Sequence, residues 1–243
     1  YPTNDLIVKH VHVERGDAFK LRLASKCGKI SLANGQKIYI EGPTGGGKST
    51  FVKAILGLIP GADMNIGKPE NYYHYVADYF QEIKEKMPSS KISIRNYFKD
   101  ETNDKTIDKY LLRVFSKMEL NSIKEVLISQ KDDLEIVNIE QHVKNAYDME
   151  INEKISGGQK SRLILTLRGY EADMKNKGII VLDEPCPDVD HDTYTEIMNK
   201  FFHNYDHCTI IMIGHLCACK KAALEIEWTQ EFCVRDGLIS RIR

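Results

Sequence analysis

Three short strings in this chain combine residue types that handle phosphate. The first is Gly42-Pro43-Thr44-Gly45-Gly46-Gly47-Lys48-Ser49-Thr50. It fits the pattern G-x-x-x-x-G-K-[ST], with Gly42, Gly47, Lys48 and Ser49 at the fixed places. Glycines let backbone N–H groups turn inward and approach a dense anion such as a triphosphate. A helix starting at the same place aims its positive N-terminus at that anion. Lys48 reaches the outer phosphates, and the Ser49 hydroxyl suits Mg²⁺. The second string is Asp183-Glu184, directly after the apolar run Ile179-Ile180-Val181-Leu182. Ligands of open α/β sheets bind at the carboxyl ends of strands. There Asp183 can hold Mg²⁺ through water and Glu184 can polarise an attacking water; on its own, such a pair also reads as a solvated acidic turn. The third string is Ser156-Gly157-Gly158-Gln159. A Ser and two glycines at a helix start make a second anion site, or an ordinary Ser N-cap.

The elements around these strings are predicted in the order the chemistry needs. Lys37-Ile38-Tyr39-Ile40-Glu41 reads as a strand before the glycines, and Val52, Ile55, Leu56 and Ile59 fall at helical spacing after them, with Pro60-Gly61 as the stop. Upstream, residues 6–13 and the alternating Phe19–Leu23 run read as strands. Tyr72–Ala77 is a further predicted strand, leading to Gln81. From about residue 82 to 155 glycine disappears, charge rises and helical periodicity takes over. Ile107, Tyr110, Leu111, Val114 and Phe115 share one helical face, and Ile123, Val126 and Leu127 share another. The α/β texture then returns: a helix through Leu163, Leu165 and Leu167, a strand over 178–182, a helix over 192–202, a strand over 208–213 and a last strand pair near 231–242. The expected organisation is an α/β nucleotide-binding core over 1–81 and 156–243 with an inserted helical subdomain over 82–155.

Composition bounds the partners. The 243 residues are 42% hydrophobic, which suits one large α/β domain or a core with a satellite lobe. Lys and Arg total 34 against 35 for Asp and Glu, so no strong nucleic-acid signal arises. The six cysteines are scattered without a C-x-x-C and read as reduced, cytosolic thiols. No apolar run approaches the roughly 20 residues needed to span a bilayer, and no signal peptide opens the chain. A start at Tyr1 fits a piece cut from a longer polypeptide. Cys217 and Cys219 beside His215 do not reach the four ligands zinc normally takes at recognised spacing. Lys84, Lys86 and Lys91 read as a solvated face, and Trp228 as packing.

With these strings together and in this order, the chain resembles the ATP-binding cassette (ABC) ATPases over nearly its whole length. Gly42 to Thr50 is similar to the family's Walker A, and Ile179 to Glu184 to its Walker B. Ile155 to Gln159 looks like the signature LSGGQ, with Ile replacing Leu. Gln81 sits where the Q-loop glutamine falls. Asp190 matches the D-loop aspartate, although Pro187 and Asp188 depart from the usual small residues. His215, after Thr209-Ile210-Ile211-Met212-Ile213, matches the switch histidine. Phe19 lies about where an aromatic stacks on adenine; it reads equally as a core strand residue.

The resemblance implies a P-loop NTPase core of ABC type, with an antiparallel β portion and an inserted α-helical subdomain. It implies Mg²⁺-ATP as substrate, with Lys48, Ser49, Thr50 and the loop residues Gly42, Pro43, Thr44, Gly45, Gly46 and Gly47 on phosphate. It implies Ser49, Gln81 and Asp183 around Mg²⁺, and Glu184, His215 and Gln81 in catalysis. Ser156, Gly157, Gly158, Gln159 and Asp190 then serve a neighbour's nucleotide in a head-to-tail pair with a second ABC domain, like or unlike. Ser93-Ile94-Arg95-Asn96-Tyr97-Phe98 is similar to the start of the helical lobe in exporter-type domains. That favours a transmembrane permease partner and a cytoplasmic location, peripheral on the cytosolic face of a membrane. The rival is a soluble, non-transport ABC machine; the interval from Gln81 to Ser156 is too short for the long coiled coils of chromosome-maintenance ATPases. A degenerate domain that binds ATP as a scaffold is disfavoured by the presence of Glu184 and His215.

Overall fold

The computed structural model describes residues 7–15, 19–24, 27–28, 30–32, 35–56, 58–59, 63–67, 93–98, 103–129, 146–151, 155–174, 178–187, 189–215, 221 and 223–242. The chain divides into two compact units. The first comprises Tyr1–Phe80, Glu171–Pro185 and Tyr205–Arg243; the second comprises Gln81–Tyr170 and Cys186–Asn204.

The first unit is built on one mixed sheet. Its strands are β1 (Ile7–Arg15), β2 (Phe19–Leu23), β3 (Ile30–Ser31), β4 (Lys37–Glu41), β5 (Asp63–Gly67), β6 (Ile179–Asp183), β7 (Thr209–Ile213), β8 (Gln230–Arg235) and β9 (Leu238–Arg241). Their order is β3-β1-β2-β9-β8-β4-β7-β6, with β5 also pairing with β1. One side is antiparallel: β1 runs against β2, β3 and β5. The other side is parallel: β4 lies between β7 and β8, and β6 flanks β7. Strands β6 and β7 are near-continuous Ile, Val, Leu and Met runs, as expected of strands buried on both faces.

Helix α1 (Lys48–Ile55) covers one face of this sheet. Phe51, Val52, Ala54 and Ile55 pack with Ile38 and Ile40 of β4, Ile211 and Ile213 of β7, and Phe232 and Val234 of β8. Burying a side chain of this size contributes about 1.5–3 kcal/mol. The helix closes earlier than the periodicity predicts: Leu56 is its C-cap and Ile59 lies beyond it.

A buried lysine ties the lower ends of the parallel strands. Lys37 Nζ donates to the carbonyls of Tyr205, Asp206 and Cys208 at 3.2, 3.0 and 2.6 Å. Burial lowers this amine from 10.5 to about 8.

The second unit holds short, well-capped helices. Ser93 caps α2 (Ile94–Tyr97) in a capping box with Asn96. Asn103 caps α3 (Asp104–Leu111), and Ser116 forms a capping box with Glu119 at the start of α4 (Lys117–Ile128). The single helical face predicted from Ile107 to Phe115 is therefore interrupted. The chain turns after Leu111, Val114 and Phe115 are buried in that turn, and Ser116 commits it to a new helix. Arg95 bridges Asp148 at 2.5 Å and Asp104 at 2.6 Å. Phe98 and Tyr110 both stack near Tyr170, with ring centres 4.8 and 5.0 Å away. Helix α5 (Gly157–Met174) begins in this unit, and α6 (His191–Asn204) lies within it. Among the described residues, no helix is long and apolar enough to cross a membrane.

Candidate functional site

The glycine string of the first unit leaves β4 and enters α1. Gly42, Gly45 and Gly47 all have positive φ. At Gly42, with φ 143°, a Cβ would collide with the carbonyl of Val234 on β8, so the loop can hug that strand only as glycine. Gly47, with φ 102°, is the N-cap of α1, and no side chain caps that end. The helix start is thus left to backbone N–H groups, as an anion site requires.

Lys48 turns back over this loop. It is 7% exposed, and its amine donates to the carbonyls of Gly42 at 2.8 Å and Pro43 at 3.0 Å. Burial pulls its pKa down, while the nearby carboxylates of Glu184 and Asp183 push it back up. Its Nζ also lies 2.9 Å from His215 Nε2, and the same ring nitrogen lies 3.3 Å from Glu184 Oε1. An unprotonated Nε2 accepts from Lys48; a protonated one donates to Glu184. One nitrogen thus stands between the loop cation and the acidic strand end.

Three strand ends meet here because β4, β7 and β6 are adjacent and parallel. Asp183 closes β6, and Ser49 Oγ donates to its Oδ2 at 3.1 Å. Glu184 follows with φ 47°, a left-handed backbone rare outside glycine, and its N–H donates to the carbonyl of Ile213 at 2.9 Å. His215 stands two residues past the end of β7. Ser49 and Asp183 present two hard oxygens side by side, the donor type Mg²⁺ takes, so the residues fit that ion. Among the described residues, no cluster of three or more His, Cys, Asp and Glu groups forms a metal site of its own.

The second unit carries the other candidate residues. Ser156 accepts from the N–H of Gln159 at 3.2 Å, and the Gln159 side chain accepts from the Ser156 N–H at 2.9 Å. This capping box starts α5, leaving Ser156 and Gly157 exposed. Asp190 caps α6: its carboxylate accepts from the Thr193 N–H at 3.0 Å, which holds its pKa below the usual carboxylate range. The two readings left open for Ser156, cap and anion site, are compatible, because the capped helix end is also the exposed one.

Two expectations fall outside this geometry. Gln81 and the predicted strand over 72–77 lie outside the described residues. Phe19 begins β2, and its side chain lies outside them as well. The Lys48–His215 contact had no signal in the sequence, since it joins two motifs that periodicity cannot connect. Of the four free cysteines that are described, Cys27, Cys186 and Cys208 are buried.

The family model described as "ABC transporter" matches residues 28–187, more than half of the chain. The chain is 27% identical to the Microcin-J25 export ATP-binding/permease protein McjD of Escherichia coli over 199 residues, which is 76% of this chain and 30% of that protein. It is 25% identical to the zinc import ATP-binding protein ZnuC of Buchnera aphidicola over 217 residues, 86% of this chain and 74% of that one. It is 26% identical to the cell division ATP-binding protein FtsE of Streptococcus pneumoniae over 200 residues, 76% of this chain and 75% of that one. The chain therefore spans under a third of McjD and about three quarters of ZnuC and FtsE. A solved bacterial Atm1-family ABC exporter with ATP bound superposes with a TM-score of 0.63 at 18% identity, covering 98% of this chain and 38% of that one, which establishes the fold. On the family match and the strand-end site together, the chain belongs to the ABC transporter family and is an ABC-type ATPase domain.

Proposed function

We propose that the chain binds Mg²⁺-ATP on Gly42–Thr50 and hydrolyses it in a head-to-tail pair with a second ABC domain, powering transport across a membrane. The observation that carries this reading is the meeting of Lys48, Ser49, Asp183, Glu184 and His215 at the ends of three adjacent parallel strands.

Each residue has a task suited to its chemistry. The loop N–H groups and the start of α1 receive the phosphates, and Lys48 balances their charge. Ser49 and Asp183, with Gln81, hold Mg²⁺, which neutralises charge developing on the phosphates when bound. Glu184 accepts a hydrogen bond from the attacking water and orients it toward the γ-phosphate. His215, whose Nε2 stands between Lys48 and Glu184, contacts the γ-phosphate. Phe19 stacks on adenine.

Ser156, Gly157, Gly158 and Gln159 of the second domain, with its Asp190, close over the same nucleotide. The exposed, capped start of α5 offers N–H groups to a phosphate on a neighbouring molecule. Closure on the triphosphate and release after hydrolysis supply the stroke. Relatives named for export and import favour a permease partner at the cytosolic face of a membrane.

Static light scattering on the Glu184→Gln variant, with and without ATP, tests the pairing. The expected result is a dimer with Mg²⁺-ATP that reverts with ADP. A particle mass that ignores ATP, both alone and with the partner half present, contradicts it.

A further inference from the structure

Strands β8 and β9 are joined by two residues, Asp236 and Gly237, with φ 50° and 73°. Positive φ at both central positions makes the type I′ hairpin turn, which Asp-Gly favours. The strand ladder closes at Arg235 and Leu238, so the Gly237 N–H is left for a partner outside the hairpin. That partner is the phosphate loop: the Gly237 N–H donates to the Gly46 carbonyl at 3.2 Å.

The turn is wedged in place. Gly237 is buried, and its carbonyl accepts from the Arg22 N–H of β2 at 2.8 Å. A Cβ on Gly237 would lie 1.8 Å from the carbonyl oxygen of Lys20, also on β2. Glycine is therefore required twice, by φ and by space. On the loop side, a Cβ on Gly42 or Gly46 would come within 2.0 or 2.8 Å of the Val234 carbonyl oxygen. The end of β8 thus backs the loop, and the turn beyond it ties the loop at Gly46.

This bond sets a direction. A peptide unit is planar and trans, so its C=O and N–H point opposite ways. The Gly46 carbonyl shares its peptide unit with the Gly47 N–H. With the carbonyl held by the hairpin, the Gly47 N–H points away from the hairpin, at the start of α1, where no side chain caps the helix. A loop that cradles an anion needs its N–H groups turned toward that anion and its carbonyls turned back.

We propose that Gly237 is a positioning residue for nucleotide binding, fixing the Gly46–Gly47 peptide so that its N–H faces the phosphates. This rests on Gly42–Thr50 being the phosphate site of the proposed function.

The test is the Kd of the intact protein for Mg²⁺-ATP and for Mg²⁺-tripolyphosphate, with Tm measured alongside. It compares wild type, Gly237→Ala and protein carrying glycolic acid in place of Gly237. The resulting ester exchanges the N–H for an oxygen and leaves the shape of the turn. Losing it depletes the competent loop orientation, and Kd rises by the same factor. The ester should raise both Kd values about fivefold, the net bias of one hydrogen bond. Gly237→Ala must also push the turn off Lys20, and should raise both at least as much. Equal losses for the two ligands place the effect at the phosphates, which they share.

An unchanged Kd in the ester protein overturns the proposal. So does a loss for Mg²⁺-ATP with tripolyphosphate unaffected, which would place the effect on the nucleoside. If neither variant retains a cooperative melting transition, the bond serves the fold alone and the proposal is overturned. A wild type that binds neither ligand overturns the nucleotide reading as well, whereas a wild type that binds both and variants that match it overturn this inference alone.

Discussion

Ser49 Oγ donates to Asp183 Oδ2 across 3.1 Å, joining the first turn of α1 to the last residue of β6. The two residues are far apart in sequence and meet because β4, β7 and β6 lie side by side in parallel register. Their oxygens form the pair suited to Mg²⁺ in the proposed site. Ser49→Ala and Asp183→Asn should each raise the Mg²⁺ concentration for half-maximal ATP turnover by at least about tenfold, since even outer-shell changes cost that much. A Mg²⁺ titration at fixed ATP checks this; an unchanged midpoint in both variants removes the pair from the ion site.

Lys48→Ala should weaken Mg²⁺-ATP binding about 10- to 100-fold, the loss expected when a hydrogen bond to a charged group worth about 1.5–3 kcal/mol disappears. Isothermal titration measures it. Wild-type affinity would mean that the amine serves only the carbonyls of Gly42 and Pro43, which it contacts at 2.8 and 3.0 Å.

Ser156 has two tasks that substitutions can separate. Ser156→Ala removes the cap of α5 and should cost about 1 kcal/mol, a fall of roughly 2–4 °C in Tm for a chain of this size. Ser156→Asp retains a good N-cap residue but places a carboxylate where the proposed neighbour's phosphate arrives. It should melt close to wild type and fail to dimerise with ATP in the Glu184→Gln background. A Ser156→Asp protein that dimerises normally argues against a role across the interface.

Lys37 gives a pH prediction. Its pKa is lowered by burial from 10.5 to about 8, so between those values the unfolded chain binds more protons than the folded one. Stability contributed by this residue therefore rises with pH through that window and is lost as pH falls through 8. The stability of wild type relative to Lys37→Met should increase on the order of 2 kcal/mol from pH 7 to pH 10, read from urea melts at both. A difference that is flat across the window contradicts the assignment.

The alternation in Phe19–Leu23 and the apolar run at 179–182 are local signals, and β2 and β6 follow them. Strands β3 and β5 had no such signal: Ile30–Ser31 is two residues long, and Asp63–Gly67 begins and ends on turn-forming residues, so both depend on pairing with β1. The break between α3 and α4 was written in the sequence as Ser116 and Glu119, a capping pair that the longer apolar periodicity from Ile107 to Phe115 concealed. At the site, glycine spacing announces a loop and an apolar run announces the strand that ends in Asp183. Spacing along the chain carries nothing about how β7 brings His215 within 2.9 Å of Lys48, because that distance is a product of sheet order.

In the proposed reaction Glu184 orients the attacking water. Phosphate release and Mg²⁺-ATP binding, measured together on wild type and Glu184→Gln, test this role. Turnover in the variant should fall about 10²- to 10⁴-fold, the range for a general-base contribution, with ATP affinity nearly unchanged, because the substituted side chain meets the water rather than the bound phosphates. Turnover equal to wild type, or loss of ATP binding in parallel with turnover, would remove Glu184 from that role.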